Sequence, residues 1–265
     1  MIKWLACAFV ALAIAERRRP LRPRVDPEAA RVGRNLATAA ITAAITAALE
    51  KPLVDRALRA TTRRQLGLLH RLKMPKPIRV VAGVLLLDYT LWWWHRLNHT
   101  LPPLWRFHVV HHIDRDLDVS TALRFHFGEM GLAAFFRAAQ VRILGVDPEA
   151  LLWWQRMLLV SILFHHSNLQ LPENVERELV RFIVTPRMHG IHHSQIEAET
   201  NSNWSSLFSW WDRLHRTFIY DVPQPVIGAP GWEGSEDPGL GSLLAIPFRR
   251  APEPQRSRRP APSFR

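Results

Sequence analysis

The sequence is poor in cysteine, with only Cys7 among its 265 residues. A disulfide within the chain is therefore excluded. A cysteine-based zinc site is excluded as well, because structural zinc generally takes two or more thiolates. Any metal ion bound by this chain must be held by histidine, with help from carboxylate, amide or water. The chain has 13 histidines, which is ample material.

Several cofactor and catalytic signatures are also missing from the sequence. There is no Rossmann glycine motif and no flavin or haem signature, so any electrons used in a reaction must come from a separate protein. The chain also lacks the HExxH motif, in which a glutamate serves as the general base of a zinc hydrolase. No tandem repeat is present.

Acidic residues are scarce relative to basic ones, with 23 Asp and Glu against 35 Lys and Arg, for a net charge of +12. Such a balance is typical of proteins that bind nucleic acid or an anionic membrane surface. Hydrophobic residues make up 48% of the chain and lie in blocks, and there are 11 tryptophans. These apolar blocks favour the lipid bilayer as the partner and argue against nucleic acid.

Residues 1–79 are predicted to form N-terminal membrane and interfacial helices. "IKWLACAFVALAIA" is interpreted as a short first membrane helix, and the arginines that follow it should hold that end on the cytoplasmic side. Residues 35–50 are apolar but shorter than the roughly 20 residues that span a bilayer. They fit a tilted helix or half of a re-entrant hairpin. Residues 51–79 are basic and amphipathic, as in a helix lying in the membrane interface.

Residues 80–221 are predicted to be the catalytic domain. Residues 80–100 give the strongest spanning signal, with leucine and valine giving way to a tryptophan run, as at a membrane interface. Two further helices are joined by "GVDPEA", and the chain turns polar after about residue 172. Residues 222–265, rich in proline and arginine, are predicted to be a disordered tail. The predicted fold class is an all-α integral membrane protein. The histidines described next are predicted to form a cytoplasmic, histidine-rich di-metal cap on it.

The histidines recur in fixed frames, "HRLNH" at 95–99, "HVVHH" at 108–112 and "HGIHH" at 189–193. Residues three and four apart share one face of a helix, so each frame should present two or three imidazoles to one point. A lone histidine on an apolar face is usually a core residue. Three such frames near a predicted membrane surface instead indicate a site for two metal ions, positioned to act on a lipid whose tail stays in the bilayer.

These frames resemble those of the fatty acid hydroxylase superfamily, which includes sterol desaturases and alkylglycerol monooxygenases. The resemblance covers about half the chain, roughly residues 85–217, and is carried by "LDYTLWWWHRLNH", "WRFHVVHH", "TALRFHFGE", "FHHSNLQLP", "VTPRMHGIHH" and "WWDRL". The chain departs from the family pattern at "NWS", where "NYG" is frequent, and at "WDRLHRT", where "WDRLFGT" is frequent. Bacterial members are especially similar, which implies an integral protein of the bacterial inner membrane.

The resemblance implies a di-iron centre (Fe2+/Fe3+) that uses O2 and two external electrons to hydroxylate or desaturate an unactivated C–H bond of a lipid. Fatty acyl chains, sterols or hopanoids, carotenoids and ether lipids are all possible substrates, and the electron donor would be a reductase or a ferredoxin-like protein. Imidazole suits iron, although zinc and copper would also be accepted. Carried over position by position, the implied metal ligands are His95, His99, His108, His111, His112, His126, His166, His189, His192 and His193.

Other polar residues are candidates for supporting these ligands. Asp88 lies seven residues before His95, hence on the same helix face, and could either orient a ligand imidazole or pair with an arginine. Arg124 and Glu129 bracket His126 and could form a buried pair.

Three more residues are candidates for the same supporting role. His165 faces away from its neighbour His166 and suits an outer supporting or a packing role. Asn168 could bind metal through water or cap a helix. Asp212 could accept a hydrogen bond from a ligand imidazole, cap a helix, or pair with Arg213.

Two rival functions stay open on the sequence alone. One is a zinc-dependent membrane hydrolase, which the missing HExxH glutamate and the excess of histidines disfavour. The other is a non-catalytic metal-binding membrane protein, which the full ligand set disfavours. No separate catalytic residue is assigned beyond the metal-bound oxygen species.

Overall fold

The computed structural model describes residues 2–233 and 237–249. Within those residues the chain is helical, with isolated bridges but no β-strand, which confirms the all-α prediction. The longer helices are α1 (Ile2–Arg18), α2 (Glu28–Ile45), α3 (Lys51–Arg64), α5 (Lys76–Thr100), α6 (Pro102–His112), α7 (Phe127–Leu144) and α8 (Pro148–His166). The shorter ones are α4 (Leu68–Arg71), α9 (Glu173–Leu179), α10 (Pro186–His192), α11 (Glu197–Thr200), α12 (Trp210–Leu214) and α13 (Leu240–Ala245).

Helices α2 and α3 are joined by a π-helical turn at Thr46–Glu50 and form one continuous helix. The helical stretch Glu28–Arg71 is, among the described residues, the one that is long and apolar enough to cross a membrane by length and composition. The apolar segment 35–50 is therefore part of a longer helix that continues into the basic segment. Helix α5, predicted as the strongest span, carries Asp88 and Arg96 and falls short in apolar content.

Prolines and glycine set the ends of the central helices. Helix α5 follows Pro75 and ends at Thr100. The next residue, Leu101, is extended because it directly precedes two prolines, which disfavour helical backbone in the residue before them. Helix α7 ends at Gly145, whose φ of 73° is left-handed, as is common just after a helix. The reversals that follow place the histidines at the C-terminal end of α5, within α6 and at the C-terminal end of α8 close together.

The main core lies where α5, α7 and α8 meet. Leu87, Val141 and Trp154 are buried there within one apolar cluster. The short helices α9 to α12 follow α8, and α10 packs against it. This packing carries the "HGIHH" frame to the same end of the molecule as the other histidines.

The predicted disorder of residues 222–265 is wrong for their described part. Ala229 and Leu243 are fully buried against Val110 of α6, and Asp237 binds the buried Arg124 at 2.7 Å. A few apolar side chains and one acidic residue hold this segment against the helices. The proline-rich composition of the segment gave no indication of these contacts. Residues 250–265 of the predicted tail lie outside the described residues.

Candidate metal centre

Nine of the ten predicted ligand histidines converge at two adjacent points. In each group, the side-chain nitrogens all lie within 4.8 Å of one another. The first group consists of His95, His99, His108, His112 and His192, and the second of His111, His166, His189 and His193. All are buried except His99, which is partly buried.

Each HxxHH frame divides its imidazoles between the two groups. The helical spacing had instead predicted that all imidazoles of one frame converge on a single point. In the first frame, His108 and His112 join one group and His111 joins the other. In the second frame, His189 and His193 join one group and His192 the other. At 3.6 residues per turn, position i+4 lies slightly to one side of position i around the helix, and position i+3 lies to the other side. Each frame therefore links the two groups.

Several Nε2 atoms face each other closely. The distance is 3.0 Å between His192 and His95, 3.0 Å between His166 and His111, and 3.0 Å between His189 and His166. The Nδ1 atoms of four of these rings lie near backbone carbonyls, which only accept. Those Nδ1 atoms must therefore donate, which leaves a lone pair on each facing Nε2. The pairs are His95 with Trp204, His111 with Arg124, His166 with Ile162, and His192 with Ser202.

Lone pairs that face each other at 3.0 Å repel unless a cation lies among them. The pattern of unsatisfied atoms agrees with that requirement. Within the described residues, both ring nitrogens of His99 and of His112, and Nε2 of His108, are buried without a hydrogen-bond partner. Because buried polar groups rarely lack a partner, these nitrogens fit a metal ion. The donor set is all imidazole, which suits iron, zinc and copper alike.

Burial favours the neutral form of three of these imidazoles, the form that metal ligation requires. Desolvation lowers the pKa of His192 to about 3. Desolvation, reinforced by neighbouring imidazoles, also holds the pKa values of His189 and His193 well below their usual range. At neutral pH the rings therefore offer lone pairs rather than positive charge.

Glu129 supports the first group directly. Its Oε1 lies 2.8 Å from Nδ1 of His108. A carboxylate behind an imidazole fixes the tautomer and makes the outward nitrogen more basic. The sequence singled out Glu129 for a supporting role but paired it with Arg124, and that pairing is wrong. Arg124 instead binds Asp237, and it reaches the centre through its own carbonyl, which accepts from His111.

His126 is the one predicted ligand that the structure does not bring to either group. It caps α7, and its Nδ1 accepts from the backbone N–H of Gly128. Its Nε2 lies 3.2 Å from the carbonyl of Leu244. Both ring nitrogens are therefore used by the backbone. His165 also lies outside the groups, with its ring centre 4.2 Å from that of His189, as expected of a packing role.

Asp88 and Asp212 contact no histidine, contrary to one of the roles considered for each. Asp88 accepts from the indole of Trp211 at 2.6 Å and from the backbone of Phe208. Asp212 accepts from Trp92 and from the backbone N–H groups of Trp204 and Ser205. Both carboxylates thus fix the loop whose carbonyls hold histidine rings.

Asn168 binds the backbone of a distant segment, whereas a water-linked ligand or a helix cap was predicted for it. Its side chain makes two hydrogen bonds to the backbone of Arg22, at 3.0 Å and 2.9 Å. It therefore ties the connection between α1 and α2 to the end of α8.

Sequence reasoning missed a second, charged layer behind the histidines. Arg31 of α2 is buried and contacts three aspartates of the loop that follows α6, Asp114, Asp116 and Asp118. Although burial alone would raise it, the Arg124 and Arg31 guanidinium groups lower the pKa of Asp114 below its ordinary value. The segment "DRDLD", which is separated from the first HxxHH frame by one residue, was the available signal.

The sequence of this chain is similar to those of known proteins. The family model described as "Fatty acid hydroxylase" matches residues 80–217. An ornithine lipid hydroxylase, OlsE, from Rhizobium tropici is 32% identical over 176 residues, covering 66% of this chain and 52% of that protein. No solved structure matches.

Two animal enzymes are also similar. The alkylglycerol monooxygenase of Danio rerio is 28% identical over 148 residues, covering 53% of this chain and 30% of that protein. The cholesterol 25-hydroxylase of Mus musculus is 29% identical over 149 residues, covering 55% of this chain and 48% of that protein. The chain thus spans about half, or less, of the length of these relatives.

Proposed function

This chain belongs to the fatty acid hydroxylase family, and we propose that it is a membrane-bound di-iron oxygenase that hydroxylates or desaturates an unactivated C–H bond of a lipid. The relatives are named for hydroxylation or monooxygenation of lipids, which supports an oxidoreductase acting on that class. The observation that carries the proposal is the pair of adjacent groups of buried and partly buried imidazoles, whose nitrogens lie within 4.8 Å of one another in each group.

The nine grouped histidines would hold the two iron ions, and bound iron would supply the reaction with O2. The protein's own residues then have definable tasks. Glu129 and the carbonyls of Arg124, Ser202 and Trp204 hold rings in one tautomer, with lone pairs inward. The buried surroundings exclude water, which protects a reactive centre from side reactions.

A lipid substrate would reach the centre from the bilayer to which the protein is attached. The helical stretch Glu28–Arg71, which is long and apolar enough to cross a membrane, packs against helix α7. The centre lies at the N-terminal end of that helix, where Glu129 sits. We place the centre at the membrane surface, on the cytoplasmic face, with residues 1–79 as membrane and interfacial helices and 80–221 as the catalytic domain. The required electrons come from an external reductase or ferredoxin-like donor.

The test is turnover by the purified protein in lipid nanodiscs, supplied with O2, a reductant and a bacterial lipid extract. Mass spectrometry should detect a lipid that has gained an oxygen atom or lost two hydrogen atoms. His192→Ala and His193→Ala, one from each group, should abolish that product. His70→Ala, a histidine far from both groups, should leave it unchanged. Full activity in His192→Ala would refute the assignment of this centre, and O2-independent hydrolysis products would indicate a zinc hydrolase.

A further inference from the structure

A groove of about 650 Å³ runs between α3 and α7. Its volume lies within the range of about 300–1,000 Å³ that is usual for ligand sites. Small and apolar side chains form its floor, namely Leu53, Ala57, Ala60, Ala138 and Ala139. The alanines matter because they leave room between two packed helices.

Arginine dominates the polar part of this groove. Its lining includes Arg56, Arg59, Arg63 and Arg64 from α3 and Arg142 from α7, and no acidic residue. All five side chains belong to exposed residues, and none forms an ion pair with a carboxylate in the part of the chain that the structure describes.

Neighbouring basic residues at the same end of the helices are paired. Arg79 binds Asp147 at 2.7 Å, and Lys76 binds Glu149 at 3.0 Å. The nearest acid on α3, Asp55, is bound by Lys51 at 2.6 Å. The five groove arginines therefore form a concentrated positive charge that the protein itself does not balance.

The close contact of two turns holds the groove walls together. A side chain at Gly67, which follows α3, would lie 2.3 Å from the backbone of Gly145, which follows α7. This approach fixes Arg63 and Arg142 at the same end of their helices. That end is about 20 Å from Glu129 along α7, counted as thirteen residues at 1.5 Å each. The groove is thus separate from the candidate metal centre.

We propose that this groove binds an anionic phospholipid of the surrounding bilayer, with the phosphate among the arginines and an acyl chain against the alanine floor. A soluble anion would need no apolar wall, and a neutral lipid would leave the five charges unbalanced. The groove lies on α3, the basic C-terminal part of the helical stretch Glu28–Arg71, whose preceding part is apolar enough to cross a membrane. Arginine stems lie along apolar surface while their heads reach the phosphate level. This inference goes beyond the proposed reaction and does not depend on metal.

The test uses native mass spectrometry of the full-length protein in detergent, titrated with phosphatidylglycerol or with phosphatidylcholine of the same acyl chains. We expect saturable binding of phosphatidylglycerol that exceeds phosphatidylcholine binding at least tenfold. R63Q/R142Q, which removes one arginine from each wall, should lose that preference. R63K/R142K keeps the charge and should retain it. R177Q/R181Q, an equal loss of charge on α9 and the turn that follows it, should behave as wild type.

Thermal unfolding provides a second readout that turnover does not affect. Phosphatidylglycerol should raise the unfolding temperature of the wild type and of R177Q/R181Q but not of R63Q/R142Q, because a ligand stabilises the state that binds it. Equal binding of both lipids, or wild-type binding by R63Q/R142Q, would overturn the proposal. Displacement of the lipid by inorganic phosphate alone would also overturn it, since that result would make the groove a soluble-anion site.

Discussion

At the residue scale, the centre depends on what stands behind each imidazole. The histidines themselves could be found from their spacing, and nine of ten predicted ligands are grouped. Their partners could not, because most are backbone carbonyls, such as those of Ser202 and Trp204, whose direction depends on tertiary contacts. His126 is the opposite case. Its place in the sequence matches a histidine of the family, but in the structure it caps a helix.

Glu129→Gln should weaken iron binding about 10–100-fold, the usual effect of losing a partner behind a metal ligand. The amide keeps the size of the side chain but loses the negative charge that faces His108 at 2.8 Å. Competition with a chromophoric iron chelator measures the affinity. Glu173→Gln, an exposed glutamate on α9, is the matched control. An unchanged affinity in Glu129→Gln would show that the charge behind His108 has no part in holding the metal.

Arg31→Ala should lower the free energy of unfolding by about 3–5 kcal/mol, because buried aspartates would lose their counter-charge. The guanidinium lies 3.0 Å from Asp114 and also contacts Asp118. Denaturant titration in detergent measures the change. Arg17→Ala removes an exposed arginine paired with Glu28 and should cost at most about 1 kcal/mol. Similar losses for the two variants would mean that the buried cluster contributes nothing special to stability.

At the element scale, the helix pattern was largely readable and the packing was not. The strong helix α5 and the pair α7 and α8 follow from apolar runs and from proline and glycine punctuation. The docking of residues 222–233 and 237–249 could not be predicted, since its anchors are a few residues in a proline-rich stretch. The π-helical turn that joins α2 to α3 likewise has no evident signal in an alanine-rich run.

The short helix α12 illustrates how an element acts on the centre without touching it. Its Asp212 accepts from the N–H groups of Trp204 and Ser205 and from Trp92. Asp212→Ala should cost about 1–3 kcal/mol for each buried donor left unpaired. It should also weaken metal binding, because the Trp204 carbonyl that holds His95 would shift.

Thermal unfolding and an iron titration, run on the same preparation, check both effects of Asp212→Ala. Asp221→Ala removes an exposed aspartate nearby in sequence and serves as the control. A destabilised protein that still binds iron with wild-type affinity would separate the loop's stability from its role in holding His95.

At the scale of the whole molecule, the histidine groups join elements that are distant in sequence. The first group draws on α5, α6 and α10, and the second on α6, α8 and α10. A metal ion bound by such a set stabilises the folded state only, since the unfolded chain has no preformed site. The family and the all-α class were available from the sequence because the frames are local. The division of the frames into two points needed the assembled fold.

Removal of metal should therefore loosen the whole assembly. Treatment with a strong chelator should lower the free energy of unfolding by about 2–4 kcal/mol, the range expected for loss of a ligand present far above its dissociation constant. Re-addition of ferrous iron under anaerobic conditions should restore the thermal midpoint. A midpoint unaffected by chelation would show that the folded protein does not depend on a bound ion.

The most direct test of the account is the metal content and iron oxidation state of protein purified in detergent, by elemental analysis and Mössbauer spectroscopy. We expect two magnetically coupled iron ions per chain, one for each group of histidines. A single zinc ion per chain, or no bound metal after anaerobic loading with iron, would contradict it.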